Sequence, residues 1–481
     1  MRPLMVLGCT SDAGKSLVAA ALCRWFARQG VRVAPFKAQN MSNNARVVAG
    51  DGSDGASTAG EIGVAQWLQA RAAGVEPDVR MNPVLLKPEA DTQSQVIVRG
   101  RVDRPLSEMP WELRHDALWE PMVSGLDELR SEFDLVVIEG AGSPAEINLR
   151  DQVNNRVVEH ADARALLVSD IDRGGSFAHL YGTWAFVPEA TRQRLDGYVL
   201  NKFRGDARLL APGPEMLTDR TGLAHLATLP MLVHDLPREE GGIEHRHGGF
   251  RVDERAPRVV IARFPFGSNL DEFRLLAGST NVEWATSPSA FMGLDPEHDL
   301  VVLPGSKHVV ADMRWMRDAG IDVAVAHAVA AGVRVMGICG GAMMLGRHIT
   351  DRPGVEGGQS DVAADGLGLM PYSTTMGASK VVRRGTPLLS DLVGRWDSLN
   401  GRSADAYEIR YGVMATDGDE RTAWAEGSVF ATTWHGLLED PELAGAVLGV
   451  AVADPLEATF DLLADAVEEH FDTAWLRTFL G

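Results

Sequence analysis

The sequence is poor in cysteine, in positive relative to negative charge, and in long apolar runs. Three cysteines among 481 residues are too few for a disulfide framework, and they fit a reduced compartment. The 46 lysines and arginines against 66 aspartates and glutamates give a net charge of −20, which argues against general nucleic-acid binding. No apolar run is long enough to span a membrane, and the chain opens on the strand-like PLMVLG instead of a signal peptide. These absences favour a cytoplasmic enzyme that has neither nucleic acid nor membrane as a partner.

The arrangement of apolar segments predicts two α/β domains. Short continuous apolar runs alternate with helical patterns, as in parallel sheets that helices cover on both faces. A polar, glycine-rich stretch interrupts this alternation, which then restarts. A chain of 481 residues is also too long for one hydrophobic core. We therefore predict a first domain at 1–235, a linker at 236–256, a second domain at 257–455, and a C-terminal helix at 456–481 that packs on the second domain.

The segment GCTSDAGKS, residues 8–16, looks like a phosphate-binding loop with unusual spacing. The common pattern G-x-x-x-x-G-K-[ST] has four residues between its glycines, whereas five separate Gly8 from Gly14. A strand precedes the loop and a helix begins inside it, which is the context in which backbone N–H groups bind phosphate. Lys15 is expected to bind the β- and γ-phosphates of a nucleotide and Ser16 to bind Mg²⁺. The candidate nucleotide-binding residues of the loop are Gly8, Thr10, Asp12, Ala13, Gly14, Lys15 and Ser16.

Three later strand ends carry the polar residues that such a site needs. Glu139 ends the strand of LVVIEGAGS, where a carboxylate that binds Mg²⁺ or orders water belongs. Asp170 ends another strand and is a second candidate metal ligand, with Asp172 close behind it. Asn201 and Lys202 follow a further strand, and an asparagine amide there can pair with adenine. Strand-end carboxylates without such a function are common, so this interpretation depends on the loop in the same sheet.

The stretched loop, the EGAG strand end and the NK pair together resemble the dethiobiotin-synthetase-like branch of the P-loop proteins. That resemblance implies ATP-dependent activation of a carboxyl group. A carboxylate is a poor electrophile, and phosphorylation converts it into an acyl phosphate from which phosphate can leave. Mg²⁺ and a lysine offset the negative charge that develops on the transferred phosphoryl group. The loop is therefore interpreted as a working variant that suits carboxylate activation.

A second motif, VRVMGICGGAMMLG, predicts a cysteine nucleophile in the second domain. Cys339 lies between small residues, after an apolar strand and before a helix, which is the nucleophile-elbow arrangement. The backbone N–H groups of Gly340 and of Gly305, at an earlier strand end, are candidate oxyanion donors. A thiol nucleophile needs a base, and His435 in TTWHG is the best candidate. Cys339 and His435 suit the hydrolysis of glutamine through a thioester, and the ammonia released would attack the acyl phosphate.

The other histidines and cysteines are assigned to packing or to the surface. His308, His327 and His348 lie in helical patterns. The HRH segment at 245–247 has no further ligands near it in the sequence, so it is not interpreted as a metal site. Cys9 and Cys23 are interpreted as core residues.

The motifs together resemble the cobyric acid synthase family of glutamine-hydrolysing amidases in the cobalamin pathway. FKAQNMSNNA and EGAGSPAEINL are highly specific to that family, and MNPVLLKP, SDIDRGGSFA, NKFRGD and LPGSKHVVADMRWMR extend the resemblance over nearly the whole chain. The resemblance implies a corrinoid substrate, adenosylcobyrinic acid a,c-diamide. It implies that ATP, Mg²⁺ and glutamine support amidation of the b, d, e and g carboxylates, giving adenosylcobyric acid. It gives no oligomeric state.

Amide side chains and two lysines are the candidate substrate-binding residues. Neutral amide groups bind carboxylates and carboxamides alike, which suits a substrate whose charge changes at each amidation. An asparagine-rich capping turn and solvent-exposed lysines are the alternative interpretations. The candidates are Gln39, Asn40, Asn43 and Asn44 of QNMSNN together with Lys37 and Lys87.

Three positions depart from the class I glutaminase pattern that the resemblance implies. Met343 stands where a glutamine helps to hold the substrate, Arg410 replaces the histidine of Y-E-I-H, and Leu437 stands where many triads have glutamate. We therefore predict a Cys–His dyad and weak glutamine binding. Two alternatives stay open: a cobyrinate a,c-diamide synthase-like amidase, and a P-loop regulatory ATPase with an inactive glutaminase-like domain.

Overall fold

A computed structural model of the chain describes residues 1–50, 59–90, 93–148, 153–234, 236–237, 255–356 and 358–480. The HRH segment and nearly all of the predicted linker at 236–256 lie outside these ranges. Within them, no helix combines the length and the apolar composition that crossing a membrane requires.

The first domain alternates strands and helices where the apolar runs predict them. Its strands are β1 Leu4–Gly8, β2 Val33–Phe36, β3 Gln39–Met41, β4 Ala45–Ala49, β5 Ala59–Gly63, β6 Val84–Ala90, β7 Gln93–Val98, β8 Arg101–Val102, β9 Leu135–Glu139, β10 Arg164–Asp170, β11 Leu195–Phe203 and β12 Ala224–Pro230. Its helices are α1 Lys15–Arg28, α2 Val64–Ala73, α3 Arg104–Glu108, α4 Trp111–Glu132, α5 Val153–His160, α6 Ser176–Phe186, α7 Glu189–Arg192 and α8 Gly213–Thr221.

A six-stranded parallel sheet forms the core of this domain, in the order β12-β11-β10-β1-β9-β2. Its strands are apolar on both faces because α1 packs on one face and α4 on the other. Parallel strands place their carboxyl ends at one edge, so Gly8, Glu139, Asp170 and Asn201 meet there. The smaller sheets β3-β6-β7-β8 and β4-β5 come from the chain between β2 and β9.

The second domain repeats the α/β pattern around another sheet. Its strands are β13 Arg258–Ala262, β14 Gly267–Ser268, β15 Asn281–Ala285, β16 Leu300–Leu303, β17 Gly305–Ser306, β18 Arg334–Ile338, β19 His348–Asp351, β20 Val362–Asp365, β21 Ser373–Gly385, β22 Ala406–Thr416, β23 Asp419–Glu420, β24 Ala423–Glu426 and β25 Val429–Thr432. Its helices are α9 Leu276–Ser279, α10 Val309–Asp318, α11 Ile321–Ala330, α12 Gly340–Leu345 and α13 Pro441–Leu448, followed by the C-terminal α14 Leu456–His470 and α15 Thr473–Arg477.

The main sheet of the second domain has the order β15-β13-β16-β18-β25-β24. It is parallel except for the edge strand β24, which pairs antiparallel with β25. A second sheet, β20-β19-β21-β22-β23, lies beside it, and its strands β21 and β22 contact β4 and β5 of the first domain. The predicted fold class, two α/β domains of P-loop and glutamine-amidotransferase type, is confirmed.

The C-terminal helix packs on the first domain, so the prediction that it packs on the second domain is wrong. Leu456, Phe460 and Leu463 of α14 share a hydrophobic core with Trp25 and Phe26 of α1. Ion pairs such as Arg24 to Asp461, at 2.8 Å, flank this core. The helical spacing of apolar residues showed that α14 has a buried face, but it carried no information on which domain covers that face.

Candidate active sites

The phosphate-binding loop is held from beneath by the end of β11. Gly14 has φ 99°, a left-handed conformation that favours glycine, and α1 starts at the next residue. The Asn201 amide donates to the carbonyl oxygen of Ala13 at 2.9 Å, and Lys202 Nζ donates to that of Asp12 at 2.7 Å. A Cβ on Gly14 would lie 2.0 Å from Asn201 Nδ2. Asn201 therefore supports the loop itself, and its pairing with adenine stays a prediction.

The start of α1 presents its free backbone N–H groups at this loop, as an anion site requires. Lys15 is buried and runs along the loop, where its Nζ is 3.5 Å from the carbonyl oxygen of Thr10. A Cβ on Gly8 would come within 3.0 Å of Lys15, so glycine there makes room for the lysine. The loop thus combines backbone donors and one cation, which is the chemistry that binds a polyphosphate.

Glu139 is the centre of a buried network beside the loop. It accepts from Ser16 Oγ at 2.8 Å, from Lys37 Nζ at 3.0 Å and from Gln69 Nε2 at 2.5 Å. Burial alone would raise the pKa of Glu139, but Lys37, Gln69 and Lys15 outweigh burial and hold that pKa below its usual range. Glu139 is therefore an ionised carboxylate that touches the hydroxyl of Ser16.

Ser16 and Glu139 offer two hard oxygen donors of the kind that Mg²⁺ takes together with phosphate and water. To bind the ion, Glu139 would have to give up contacts that it now makes with Lys37 and Gln69. Among the described residues, no three histidine, cysteine or acidic side chains cluster in a way that could hold a metal ion. Asp170 is buried but is already neutralised by Lys202 Nζ at 2.8 Å and by Arg173 Nε at 3.4 Å. Its predicted role as a metal ligand therefore requires that these cations move.

The QNMSNN segment lies between the two domains. Asn40 donates to Gln66 Oε1 at 2.9 Å, and Gln66 in turn reaches Glu139 at 3.3 Å. Asn44 is buried as well and accepts from the backbone N–H of Leu270 at 3.3 Å. These partners make Asn40 and Asn44 parts of the packing, whereas the sequence led us to expect side chains that face a substrate.

The other candidate substrate-binding residues differ in how deeply they are buried and in their partners. Gln39 and Asn43 are half-buried. Lys87 is fully buried and pairs with Glu61 at 2.5 Å, so it is not an exposed lysine that steers an anionic substrate. Lys37 binds Glu139 and adjoins the phosphate-binding loop. Substrate contact by any of these residues stays a prediction.

Cys339 occupies a strained turn between β18 and α12. Its backbone has φ 49° and ψ −107°, a conformation that side-chain-bearing residues rarely adopt. Its N–H donates to the carbonyl oxygen of Thr432 at 2.7 Å, which ties the turn to β25. A Cβ on Gly340 would lie 2.7 Å from the backbone nitrogen of Ser306, and one on Gly341 would lie 1.9 Å from the carbonyl oxygen of Leu303. The small residues after Cys339 are therefore required by close backbone packing.

His435 follows β25 and lies against the cysteine. Its ring stacks on Tyr407, with 5.3 Å between ring centroids and 16° between the planes. Its Nδ1 is 2.9 Å from Glu272 Oε1, while Glu272 Oε2 accepts from the backbone N–H of Gly436 at 2.9 Å. Burial lowers the pKa of His435, but Glu272 and Cys339 outweigh burial and raise it to about 10. The buried ring is therefore poised as the cation of an ion pair.

Glu272 corrects the predicted Cys–His dyad. It lies on the 3₁₀ turn Leu270–Phe273, far from His435 in the sequence, and is fully buried. A carboxylate on Nδ1 fixes the ring orientation and leaves Nε2 for the thiol, which is the role of the acid in a triad. The position two residues after His435 is Leu437 and carries no carboxylate, as the sequence indicates. Glu272, from a different segment, supplies the carboxylate instead. The only signal in the sequence was the adjacent acid pair of SNLDEF.

The two candidate oxyanion donors belong to neighbouring segments, since Gly340 packs against Ser306, the residue after Gly305. A Cβ on Gly305 would lie 2.9 Å from His435 Cε1, so the backbone of Gly305 borders the histidine. β17, which contains Gly305, pairs with β14, and Asp312 holds the adjoining turn by accepting from Ser306 Oγ at 2.5 Å. Burial raises the pKa of Asp312 to about 7. Gly305 thus borders His435 and Gly340 directly follows Cys339, and the roles of both glycines as oxyanion donors stay predictions.

Two family models match the chain, one in each domain. The CobQ/CobB/MinD/ParA nucleotide binding domain matches residues 4–239, and the CobB/CobQ-like glutamine amidotransferase domain matches residues 258–443. The chain is 48% identical to the cobyric acid synthase of Polaromonas sp. (strain JS666 / ATCC BAA-500), over 100% of this chain and 98% of the relative. It is 51% identical to that of Paracidovorax citrulli, over 98% of each chain, and 50% identical to that of Variovorax paradoxus, over 100% and 99%. The chain belongs to the cobyric acid synthase family.

Membership of the cobyric acid synthase family confirms the resemblance that the motifs carry. Two of the three positions that are predicted to depart from the class I glutaminase pattern, Met343 and Arg410, contact the same residue, Gly412. Met343 is buried and packs on Gly412, where an added Cβ would lie 2.6 Å from the Met343 sulfur. Arg410 donates to the carbonyl oxygen of Gly412 at 2.6 Å and to Glu408 Oε1 at 2.7 Å. Met343 is therefore part of a buried contact, and the charge of Arg410 is paired with Glu408.

Proposed function

We propose that the chain converts adenosylcobyrinic acid a,c-diamide into adenosylcobyric acid by ATP- and glutamine-dependent amidation of the b, d, e and g carboxylates. As a member of its family, the chain is a glutamine-hydrolysing amide ligase of cobalamin biosynthesis. The observation that carries the proposal is the pairing, in one chain, of a phosphate-binding loop with a Cys339–His435–Glu272 arrangement. We place the enzyme in the cytoplasm, in keeping with three cysteines that are all free and buried.

In the second domain, the Cys339 thiolate attacks the side-chain carbonyl carbon of glutamine, and the C–N bond breaks to give a thioester and ammonia. His435 carries the proton of the thiol and delivers it to the departing nitrogen. Glu272 keeps the ring in the orientation that this transfer needs. The N–H groups of Gly305 and Gly340 stabilise the oxyanion, and water then hydrolyses the thioester to glutamate.

In the first domain, a carboxylate oxygen of the corrinoid attacks the γ-phosphorus of ATP, and ADP leaves. Lys15 and the N–H groups of the loop bind the phosphates and offset the charge of the transferred group. Ser16 and Glu139 would hold Mg²⁺, which supplies further charge neutralisation when bound. Ammonia attacks the acyl carbon, the C–O bond to phosphate breaks, and the amide forms.

A mass-resolved assay tests the proposal. The protein is incubated with adenosylated cobyrinic acid a,c-diamide, ATP, Mg²⁺ and either glutamine or ammonium. We expect stepwise amidation with both nitrogen donors. The Cys339→Ala variant should lose amidation with glutamine and keep it with ammonium. If neither donor yields an amide with the unaltered protein, the corrinoid assignment is wrong.

A further inference from the structure

The turn that carries Glu272 has two further carboxylates beside it, the buried Asp271 and the half-buried Glu439. Asp271 precedes Glu272 on the turn, and Glu439 approaches from the segment after His435. Burial raises the pKa of Asp271, and the neighbouring Glu272 raises it further, although a cation opposes both effects. Burial likewise raises the pKa of Glu439, to about 7. Such a group of carboxylates is costly to bury without a matching positive charge.

The cation comes from the other domain. Arg46 lies on β4 of the first domain and is buried. Its guanidinium binds Asp271 and the hydroxyl of Tyr407, and it lies 2.5 Å from Glu439 Oε1. It also lies over two aromatic rings, 5.1 Å from the centroid of Trp67 and 5.2 Å from that of Tyr407. Arg274 acts on Glu439 from the second domain, but it pairs with Asp454 at 2.7 Å.

Neighbours of Arg46 hold the same turn. Asn269, which starts the turn, donates to the carbonyl oxygen of Ala45 at 2.6 Å and to the hydroxyl of Tyr407 at 2.9 Å. Asn44 accepts from the backbone N–H of Leu270. Three consecutive first-domain residues, 44–46, therefore contact residues 269–271 of the turn, directly before Glu272. Tyr407, which Arg46 also contacts, is the ring on which His435 stacks.

We propose that Arg46 is a positioning residue for glutamine hydrolysis, supplied by the synthetase domain to the glutaminase domain. Its charge holds Asp271 and Glu439, fixes the turn, and so keeps Glu272 against His435. Glutamine hydrolysis then requires the docked first domain, which prevents release of ammonia when the carboxylate-activating site is not in place. This inference rests on the proposed function.

The test compares Arg46→Met, which keeps an unbranched stem and removes the guanidinium, with the unaltered full-length protein. Glutamate release from glutamine is measured apart from amidation with ammonium. We expect kcat for glutamate release to fall by about tenfold or more, since one lost charge-assisted contact network is worth that much. The KM for glutamine and the rate of amidation with ammonium should each change by less than about twofold. Arg46→Lys should recover part of the hydrolysis rate because it keeps the charge.

Arg384→Met is the matched control, because Arg384 also crosses the domain boundary, to Glu76 at 2.6 Å, but is exposed. It should leave both reactions unchanged. The proposal is wrong if Arg46→Met hydrolyses glutamine at the unaltered rate and merely fails to couple it to amidation. It is equally wrong if the variant loses amidation with ammonium to the same extent, since Arg46 then acts on the whole structure. Failure of the proposed function itself would appear as no amidation by the unaltered protein.

Discussion

His435 and Glu272 are 163 residues apart in the chain, yet His435 Nδ1 lies 2.9 Å from Glu272 Oε1. Glu272 Oε2 also accepts from the backbone N–H of Gly436, so the two carboxylate oxygens contact His435 and the residue that follows it. A carboxylate held at two points restricts the rotation of the ring more than a single hydrogen bond would. The glutaminase site therefore has an acid in the orienting position, although the residue two places after His435 is a leucine.

Glu272→Gln should lower the rate of glutamine hydrolysis by up to about 10⁴-fold, because loss of the orienting acid leaves the wrong tautomer and an unsupported imidazolium. Amidation with ammonium should be unchanged. Glu283→Gln serves as the control, since Glu283 is an exposed partner of Arg258 on the same domain. The rate of glutamate release is measured at steady state for both variants. Equal rates would show that Glu272 has no role in glutamine hydrolysis.

The Glu272–His435 pair should contribute to stability in a defined pH window. The pKa of His435 is raised from 6.5 to about 10, so the folded state binds its proton more tightly than the unfolded chain does. The stabilisation that His435 gives to the folded state is therefore complete below pH 6.5 and is lost as the pH rises through about 10. The difference in Tm between the unaltered protein and His435→Gln should therefore shrink across this range. A difference that grows with pH would contradict the assigned charge state.

The strand-end residues of the first domain could be predicted because parallel strands bring their carboxyl ends to one edge. The sequence predicts Glu139, Asp170 and Asn201 at strand ends of one sheet, and the structure brings all three to the loop. What the sequence did not reveal is their partners. The binding of Asp170 by Lys202, and the support that Asn201 gives to the loop, follow from side-chain packing that no local pattern encodes.

The residues of the second site that the sequence did not predict escaped prediction for one physical reason. Glu272 and Arg46 act through contacts between distant segments, and Arg46 acts across a domain boundary. An acidic pair in a short turn and an arginine in a strand carry no periodicity that could indicate burial. The burial of Lys87 could not be predicted for the same reason. A lysine is ordinarily exposed, and only its ion pair with the buried Glu61 explains its position.

Met343→Gln should strengthen glutamine binding. Met343 is buried beside Gly412, and a thioether is only a weak hydrogen-bond acceptor. One regained hydrogen bond corresponds to a fall in KM for glutamine of about tenfold. The rate with ammonium should stay the same, because the substitution leaves the first domain intact. Met344→Gln, at the adjacent buried position, is the control, and an equal fall in KM there would show that the effect is not specific to the pocket.

Gly14→Ala should impair ATP binding through a clash with Asn201 and not through backbone strain alone. The two glycines Gly14 and Gly205 have nearly the same φ, 99° and 100°, but only at Gly14 would a Cβ meet another atom, Asn201 Nδ2 at 2.0 Å. Gly205→Ala therefore carries the strain without the collision. We expect Gly14→Ala to lower ATP affinity by about tenfold or more relative to Gly205→Ala, since displacing Asn201 releases the loop that it holds. Glutamine hydrolysis should be similar in the two variants. Titration of ATP against both proteins measures the difference, and equal affinities would mean that Asn201 does not support the nucleotide site.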